Sequence, residues 1–437
     1  MIKFLNTLRS WFLSPDSNLE LRLRTLYHKI LATRIAFLVQ DWLAKRSYQK
    51  WRRKSFNRPI KTPKDGINSP MVSFIVFCRE GLTSKAQSTI QSVNKLEGTP
   101  KEIILFNPGE DQNQVDPGAL PEETLIQWVA SQMEDVLKVV GGAYVIFCTA
   151  GDRFYGSLLR QFIHYIENEP FVDLLYYDCE YFDQTTGQLM PHFKPEKFSP
   201  ELLLSVNYLS RGLIRTDAAR QVVENKDIPN DFFAFEYALV LRISERFSSI
   251  AHIPALLARQ TSLVHPNSNV LKDVVTAHLS GIGLMGVGCE NRFDKPRFYW
   301  QTGNPTISMV ILTKNHQQYL SNLLESIHLH TKSANFEILI VDNGSDDHLT
   351  LAFYEEISAE EKIKLVPYNK PFNYSEAINL GAQSSNADLI LFLNDDMLVR
   401  NDVWLDELTQ WAIRPEIGVV GAKLLRGNNT IQHAGII

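Results

Sequence analysis

Two adjacent carboxylates follow directly on a short apolar run late in the sequence. The run Leu389–Leu393 ends in Asn394, Asp395 and Asp396, after which apolar residues resume. Such a run is typical of a strand buried in a parallel sheet, and ligands of open α/β sheets bind beyond the carboxyl ends of these strands. Neighbouring carboxylates repel each other unless a cation or protons intervene, and Mg²⁺ and Mn²⁺ prefer carboxylate and phosphate oxygens. On its own, the motif favours the alternative of a solvated acidic turn.

The elements that must position these acids occur twice along the chain. A strand-like run followed by a helix-like run begins at Val72 ("VSFIVFCREGLTSKAQSTIQSV") and again at Ile307 ("ISMVILTKNHQQYLSNLLESI"). The next strands, "KEIILFNPGE" and "FEILIVDNGS", keep an offset of 235 residues, and the third pair aligns Asp152 with Asp396 at an offset of 244. Alternating strands and helices predict mostly parallel sheets with covering helices. A duplicated domain is the simplest explanation, and the alternative is chance similarity among α/β segments.

The two copies differ where chemistry would take place. Asp342 closes the second strand of the later copy, where the earlier copy has Asn107. The later copy also has the acidic triplet that ends in Asp396, whereas the earlier copy has Ala150 and Gly151 before Asp152. The acidic set is therefore kept in the later copy and mostly lost in the earlier one.

The net charge of −5 on the 437 residues is distributed unevenly. Residues 1–60 hold thirteen Lys and Arg against three acids, a local charge of +10, which leaves −15 for the remainder. This basic arm has helical periodicity and two interpretations, a helix in the interface of an anionic membrane or a helix packed on the body with its charges in water. Its apolar and aromatic residues are Leu26, Ile30, Ala36, Phe37 and Leu43 in a stripe, with Trp42 and Trp51 towards the end.

The spacing of the cysteines and the hydropathy of the chain indicate the cellular compartment of the protein. Four cysteines far apart (Cys78, Cys148, Cys179 and Cys289) indicate a reducing compartment and argue against a disulfide framework or a thiolate zinc site. No apolar stretch approaches the length of a membrane span, and the N-terminus lacks the features of a secretory signal. We expect a cytoplasmic location, or a peripheral one on the inner face of the cell membrane through residues 1–60. Nucleic acid is not expected as a partner, because the rest of the chain is acidic.

Turn-rich segments divide the chain. The segment "NRPIKTPKDGINSP" ends at Pro70, and "ENRFDKPRFYWQTGNP" ends at Pro305. We therefore expect a basic helical arm at 1–60, an α/β domain at 70–290 and a second α/β domain at 305–437. The fold class that follows is α/β, with two tandem Rossmann-like, mostly parallel sheets. The later copy is shorter than the earlier one, so we expect it to be truncated and to lack its acceptor half.

The ordered motifs "TKN", "IVDNGS", "PFNYSEAIN", "LNDDM" and "IQHAG" resemble those of glycosyltransferase family 2, whose members have the GT-A fold. The set is similar to the rhamnosyltransferase-like branch that builds bacterial surface polysaccharides. The resemblance implies inverting transfer of a hexosyl or rhamnosyl group from a nucleotide-diphosphate sugar to a hydroxyl of a glycan or lipid-linked acceptor. The alternative is a non-catalytic scaffold or glycan-binding protein. Nucleotidyl transfer would call for a glycine-rich loop after the first strand, which "ILTKNHQQYL" lacks.

The same resemblance implies roles for individual residues. Asp396 would bind Mg²⁺ or Mn²⁺, and Asp342 would accept hydrogen bonds from a base or ribose, with an Asx-type turn as its alternative. Ser375 is the expected N-cap of a helix whose first amides could face phosphates. The residues assigned to the nucleotide sugar are Thr313, Asn315, Asp342, Asn343, Asn379 and Asp395.

Inverting transfer needs a general base to deprotonate the acceptor hydroxyl. In the family this is an acid in the later half of the domain, and the candidate at that place in the earlier copy is Glu236. The alternative is a structural acid that pairs with Arg242 or Arg246 on the same helix.

Overall fold

The computed structural model describes residues 34–56, 69–79, 83–107, 126–129, 132–183, 188–224, 228–261, 268–284, 288–292, 295–300, 302–332 and 335–435. By their contacts, the described residues up to 282, together with 295 and 296, form a first compact unit, and the described residues of 283–292 and from 297 onward form a second. Each unit has its own α/β sheet, which confirms the predicted fold class.

The first unit is built on a nine-stranded sheet. Its helices are α1 (Arg34–Phe56), α2 (Ser84–Asn94), α3 (Met133–Val139), α4 (Leu158–Ile166), α5 (Pro200–Ser205), α6 (Thr216–Val223), α7 (Phe232–Arg246) and α8 (Ser268–Gly281). Its strands are β1 (Val72–Phe77), β2 (Lys101–Phe106), β3 (Ile126–Val129), β4 (Tyr144–Thr149), β5 (Arg153–Phe154), β6 (Leu174–Asp183), β7 (Gln188–His192), β8 (Leu213–Arg215) and β9 (Ile250–Gln260). The strand order is β3-β2-β1-β4-β8-β6-β9-β5, with β7 beside β6. The first four strands of this order are parallel, and β8 joins β4 in the antiparallel direction.

Two further strands, β10 (Gly288–Arg292) and β11 (Lys295–Tyr299), pair with each other in the segment that the sequence marks as the second break. The segment at this break therefore contains a pair of strands. Trp300, directly after β11, packs edge-on against Trp411 with ring centroids 5.7 Å apart, and its N–H donates to Gln410 Oε1 at 3.1 Å. The end of this segment is thus part of the second unit.

The second unit contains a four-stranded sheet in which all neighbours are parallel, in the order β14-β13-β12-β15. A short antiparallel pair, β16 and β17, follows it. The strands are β12 (Ile307–Thr313), β13 (Phe336–Asp342), β14 (Ile363–Pro367), β15 (Leu389–Asn394), β16 (Leu424–Leu425) and β17 (Ile431–His433). The helices are α9 (Gln317–His330), α10 (His348–Ile357), α11 (Tyr374–Gln383) and α12 (Trp404–Ala412).

Strand β12 is buried on both faces, as a central strand of a parallel sheet must be. Met309 and Ile311 belong to the core under α9 and α10, whereas the intervening Val310 belongs to the core under α11. Helix α11 lies very close to the sheet, because a Cβ on Gly381 would be 2.4 Å from Val310 Cγ1 and 2.8 Å from Val341 Cγ2. Burial of such side chains stabilises by about 1.5–3 kcal/mol each. This packing fixes the strand ends and hence the loops that follow them.

The two units share their strand registers, which supports the duplication. Val72 of β1 pairs with Lys101, and Ile307 of β12 pairs with Phe336, so the offset of 235 holds across two strands. The third strand differs, because Val72 also pairs with Tyr144 and Ile307 with Leu389, an offset of 245. The alignment of Asp152 with Asp396 is therefore wrong by one residue.

A hydrogen bond inside the sheet is repeated as well. Ser73 on β1 donates to Glu102 on β2, and Ser308 on β12 donates to Glu337 on β13 at 2.6 Å. The hydrogen bonds from Lys364 and Ser308 hold the pKa of Glu337 below its usual value. The same polar pair thus ties the first two strands together in both units.

The exposed face of β15 distinguishes the two sheets. Register equates Phe392 of β15 with Phe147 of β4. Phe147 is fully buried and lies against the rings of Phe232 and Phe235, whereas Phe392 is 49% exposed and Ile390 is 42% exposed. Helix α7 therefore covers a face in the first unit that is open in the described part of the second.

The basic arm is helical from Arg34, as α1. Leu26, Ile30 and most of the first turn-rich segment lie outside the described residues, and so do the side chains of Ala36 and Phe37. Leu43, the remaining residue of the predicted apolar stripe, is 45% exposed. The face of α1 that packs on the first unit carries Tyr48 and Arg52 instead.

Three of the four cysteines, Cys78, Cys148 and Cys179, are buried free thiols. Burial raises the pKa of the Cys78 thiol to about 12, so it stays protonated at neutral pH. Among the described residues, no helix has both the length and the apolar character that crossing a membrane requires.

Candidate active site

The carboxyl ends of the parallel strands in the second unit bring two acidic loops to one edge of the sheet. Thr313 ends β12 and is paired in register with Asp342, which ends β13. On the other side of β12, Leu312 is paired with Asn394, so Asp395 and the residue after it leave β15 immediately beyond this pair. The two acidic loops therefore flank Thr313.

The two adjacent carboxylates have different environments. Asp395 Oδ2 accepts hydrogen bonds from Thr313 Oγ1 at 2.8 Å and, in the tautomer protonated there, from His316 Nδ1 at 2.9 Å. The Asp395 side chain is 14% exposed, whereas Asp396 is exposed and has no hydrogen bond or ion pair with any described residue. Asp395 is thus held in one orientation, and Asp396 is left with its full capacity to bind a ligand.

Sequence reasoning missed His316, the second partner of Asp395. Its side chain is 54% exposed, and it precedes the first residue of α9. The available signal was its position directly after "TKN", at the start of the helix that follows the first strand. An imidazole at this place can donate to a carboxylate or, when protonated, attract an anion.

Asp342 is held by the loop that follows it. Both of its carboxylate oxygens lie 3.1 Å from the Ser345 backbone N–H, and Oδ1 also accepts from Ser345 Oγ at 2.5 Å and from the Tyr354 hydroxyl at 3.0 Å. Burial and the nearby Asp342 carboxylate raise the pKa of Tyr354, so this hydroxyl remains a donor. The Asp342 side chain is therefore bound to its own loop three residues on, one residue beyond the reach of an Asx turn. Because the side-chain donors converge on Oδ1, Oδ2 retains acceptor capacity for a ligand.

Asn315 links the loop after β12 to the loop after β13. Its backbone has a positive φ of 55°, and its N–H donates to Ser345 Oγ at 3.0 Å. Its side-chain Oδ1 accepts from the backbone N–H groups of Asp346 and Asp347 at 2.9 and 3.0 Å, and its Nδ2 donates to Asp346 Oδ1 at 2.7 Å. Asn315 thus uses both ends of its amide to hold the two loops together.

The side-chain oxygen of Asn343, unlike that of Asn315, accepts no hydrogen bond from a described residue. Its backbone N–H donates to the Thr313 carbonyl at 3.0 Å, but its side-chain Oδ1 is buried and has no hydrogen-bond partner among the described residues. A buried acceptor left without a donor costs about 1–3 kcal/mol. A ligand N–H or O–H at this edge would remove that cost, so Asn343 fits a place in a binding site.

Asn379 lines a cleft of about 590 Å³ beside α11 and the end of β14. Other amide side chains in its wall are Asn369, Asn373 and Gln383, and this wall suits the hydroxyl and amide groups of a polar ligand. The cap of α11 is Asn373, whose Oδ1 accepts from the Glu376 N–H at 3.2 Å. The assignment of Ser375 as N-cap is therefore wrong, because the helix begins at Tyr374.

The equivalent edge of the first unit is closed by an arginine. Asp152 accepts from Thr149, from the Thr261 N–H and hydroxyl at 2.9 Å, and from Arg211 Nε at 3.1 Å. Arg211 is 5% exposed and has a positive φ of 65°. Both carboxylate oxygens of Asp152 thus accept hydrogen bonds from protein groups, and one of those groups is the Arg211 cation.

Glu236 is on the other side of this arginine. Its Oε1 accepts from the Arg211 N–H at 2.8 Å, its Oε2 lies 3.7 Å from Arg211 Nη1, and the residue is 2% exposed. Burial raises the pKa of Glu236, although Arg211 opposes the shift. Arg242 and Arg246 donate to the backbone carbonyls of Val222 and Gln221, so the predicted pairing of Glu236 with these two arginines is wrong.

The acidic side chains at the carboxyl edge of the second sheet can be compared with the ligands that a divalent cation requires. Within the described ranges, no group of three or more His, Cys, Asp or Glu side chains is arranged to hold a metal ion. Mg²⁺ does not need such a group, because it is bound by one or two carboxylates together with water and substrate phosphates. Asp395 and the exposed Asp396 match that smaller set, so these residues fit a cation that binds together with a diphosphate.

Comparison with known proteins shows which family and which relatives the chain is similar to. Residues 308–433 match Glycosyl transferase family 2. The chain is 33% identical over 308 residues to the O-antigen biosynthesis protein RfbC of Myxococcus xanthus, a match covering 68% of this chain and 24% of that protein. It is 28% identical over 318 residues to the uncharacterized protein y4gI of Sinorhizobium fredii, covering 69% and 35%. The matches thus span about a quarter and about a third of these relatives.

Solved structures with likeness to the chain include S. aureus TarS 1-349, with a TM-score of 0.38 and 12% identity over 48% of this chain and 65% of that chain. Another is the mannosyltransferase PcManGT from Pyrobaculum calidifontis in complex with GDP-Man and Mn²⁺, with a TM-score of 0.35 and 12% identity over 58% of this chain and 75% of that chain.

Proposed function

We propose that this chain, whose residues 308–433 form a glycosyl transferase family 2 domain, transfers a sugar from a nucleotide-diphosphate donor at the carboxyl edge of its second sheet. The observation that carries the proposal is the placement of Asp342 and Asp395 on either side of Thr313. The relative from Myxococcus xanthus is named for O-antigen biosynthesis, which supports a role in cell-surface polysaccharide synthesis.

The donor nucleotide would contact the loops after β12 and β13. Asp342 Oδ2 is an acceptor for the hydroxyls of a ribose or the N–H groups of a base, and the unpartnered Asn343 Oδ1 is a second acceptor beside it. Asn315 would act by holding these loops in place, since its own amide is occupied. Asn379 would contribute from the cleft beside α11.

The diphosphate would lie on the β15 side of Thr313, with Mg²⁺ or Mn²⁺ held by Asp396 and Asp395. When bound, such a cation neutralises the charge that develops on the diphosphate leaving group. His316 and Thr313 would keep Asp395 in the orientation that this requires.

The first unit would not be the transferring unit. A divalent cation at Asp152 would have to displace the guanidinium of Arg211, which is buried between Asp152 and Glu236. Removal of one partner from a buried charge pair costs about 3–5 kcal/mol. Glu236 would therefore be a structural acid.

The resemblance to the family implies the stereochemistry of the transfer, the sugar, the acceptor and the location. The transfer would invert the anomeric configuration, the sugar would be a hexosyl or rhamnosyl group, and the acceptor would be a hydroxyl of a glycan or a lipid-linked glycan. The protein would act in the cytoplasm or on the inner face of the cell membrane, where nucleotide sugars are supplied.

The experiment that tests the proposal is release of nucleoside diphosphate from UDP-, GDP- and dTDP-sugars by the full chain with Mn²⁺. We expect release from at least one donor, and Asp342→Asn should lower it. A second candidate, a non-catalytic scaffold or glycan-binding protein, is favoured by the closed edge of the first unit. Binding of polysaccharide fragments without binding of any nucleotide would support this second candidate.

A further inference from the structure

One face of helix α1 is fixed to the first unit by a buried carboxylate. The Glu180 side chain is 0% exposed, and it accepts from Arg52 Nε at 2.6 Å, from Arg52 Nη2 at 3.1 Å, and from the hydroxyls of Tyr48 and Tyr155. Burial alone would raise the pKa of Glu180, but the hydrogen bonds from Arg52 and the two tyrosines lower it below its usual value. Four donors on one buried acid define which side of α1 faces inward.

Aromatic contacts extend this inner face along the helix. Phe56 lies edge-on to Tyr155 with ring centroids 4.8 Å apart, and Trp51 lies edge-on to Phe193 at 5.2 Å. Tyr48, Arg52 and Phe56 are spaced by four residues, so they share one side of an α-helix. The orientation of α1 about its own axis is therefore set over its last two turns.

The opposite side of α1 is basic and exposed. At 3.6 residues per turn, positions 43, 46, 50 and 54 lie on the side opposite position 52, with positions 42 and 53 beside them. We call this surface the outer face; its residues, all exposed, are Trp42, Leu43, Arg46, Lys50, Arg53 and Lys54. The α1 sequence contains seven Lys and Arg against one acid, Asp41. Arg52 is directed to Glu180, and the outer face has four cations, Arg46, Lys50, Arg53 and Lys54, with no acidic residue among its positions.

Two apolar residues accompany the cations. Trp42 is 55% exposed and Leu43 is 45% exposed, and the Arg46 guanidinium carbon lies 5.2 Å from the centre of the Trp42 ring. Trp51 of α1 and its neighbour Phe193, which are 39% and 45% exposed, form an aromatic margin between the inner and outer faces. Tryptophan next to lysine and arginine is the composition of a surface that lies in the headgroup region of a bilayer.

We propose that the outer face of α1 binds the surface of an anionic lipid membrane. The cations would pair with lipid phosphates, while Trp42 and Leu43 would enter the boundary between headgroups and acyl chains. Lipid fits better than nucleic acid, because Leu43 has no ring to stack on a base and because residues 61–437 carry a net charge of −15. This inference does not depend on sugar transfer.

The test is flotation of the full chain with vesicles of phosphatidylcholine alone or of phosphatidylcholine mixed with phosphatidylglycerol. We expect binding only to the anionic vesicles, weakened by added salt. The triple variant Arg46→Gln, Lys50→Gln and Arg53→Gln should lower the partition coefficient by about a hundredfold, since each cation near an anionic surface contributes about fivefold. Trp42→Ala should lower it further at unchanged charge.

The matched control is Lys85→Gln, Lys95→Gln and Arg153→Gln, three exposed cations of the first unit outside α1. This variant has the same net charge as the α1 variant and should bind anionic vesicles like the wild type. Equal loss in both triple variants would overturn the proposal, because it would indicate a general charge effect. Binding to single-stranded RNA that the α1 variant abolishes, with vesicle binding unchanged, would also overturn it and assign the outer face to nucleic acid.

Discussion

The Thr313 hydroxyl donates a hydrogen bond of 2.8 Å to Asp395 Oδ2, and this bond joins the carboxyl ends of β12 and β15. A matching bond of 2.8 Å runs from the Thr306 hydroxyl to Asp388 Oδ2 just before the amino ends of the same two strands. The two pairs have the same chemistry at opposite edges of one sheet. Only the pair at the carboxyl edge lies next to a second acidic loop, so the other pair serves as an internal control for function.

The first prediction concerns Thr313→Val, which keeps the shape of the buried side chain and removes its hydroxyl. Asp395 then loses a donor that orients it, so we expect affinity for nucleotide sugar with Mn²⁺ to fall about tenfold. Thr306→Val removes the corresponding bond at the amino edge and should leave affinity unchanged. The measurement is calorimetric titration of both variants, with thermal unfolding to confirm that each is folded. Equal affinities in the two variants would contradict a functional role for the Thr313–Asp395 pair.

The second prediction separates a ligand contact from a structural contact by comparing two asparagines. Asn343→Ala removes an acceptor that has no partner among the described residues, so the unfolding free energy without ligand should change by less than about 1 kcal/mol. Asn315→Ala removes three side-chain hydrogen bonds and should cost about 2–3 kcal/mol. Urea denaturation measures both. Donor affinity should fall in Asn343→Ala, and a cost as large as that of Asn315→Ala would show that Asn343 is structural.

The third prediction concerns the closed edge of the first unit. Arg211→Met would leave Asp152 and Glu236 buried together without their cation, at a cost of about 3–5 kcal/mol at neutral pH. Burial already raises the pKa of Glu236, and loss of Arg211 would raise it further, so the variant should recover stability as the pH falls and Glu236 takes up a proton. The exposed Arg153→Met serves as control. Urea denaturation at pH 8 and pH 5.5 would reveal this difference, and a pH-independent loss would argue against buried charge as the cause.

The fourth prediction concerns the attachment of α1. Because the folded-state pKa of Glu180 is lowered, its contribution to stability is fully present above its unfolded value of about 4.5 and is lost as the pH falls through the folded-state value. The protection factors of the amide hydrogens in residues 45–56, which correct for the intrinsic pH dependence of exchange, should therefore fall in acid while those of the rest of the first unit stay high. Glu180→Gln should remove this pH step and show faster exchange at neutral pH as well. If the pH-dependent change in amide protection persisted in Glu180→Gln, a titratable group other than Glu180 would be its cause.

The sequence was sufficient for the elements but not for the side-chain contacts between them. Apolar periodicity predicted the strands that end at Thr313, Asp342 and Asn394, because each strand is buried on at least one face and its pattern is local. The contacts of Asp395 with His316 and of Asp152 with Arg211 join residues that are 79 and 59 positions apart. No local pattern encodes such pairs, since they depend on which loops the folded sheet brings together.

The errors in the sequence predictions have similar physical causes. The alignment of Asp152 with Asp396 followed matching letters, whereas the sheet sets its register by backbone hydrogen bonds, which shift the third strand by one residue. Asn373 and Ser375 are both good N-caps, and packing of α11 on the sheet decides between them. The inner face of α1 includes Tyr48 and Arg52 because both donate to a buried acid, Glu180, and the helical periodicity of apolar residues could not reveal that.

The most direct measurement is calorimetric titration of the full chain with UDP-, GDP- and dTDP-sugars in the presence of Mn²⁺, for the wild type, Asp395→Asn and Asp388→Asn. We expect at least one donor to bind the wild type, Asp395→Asn to weaken that binding by about ten- to a hundredfold, and Asp388→Asn to leave it unchanged. Failure of the wild type to bind any of these donors, or equal weakening in both variants, would contradict the assignment of the carboxyl edge of the second sheet as a donor site.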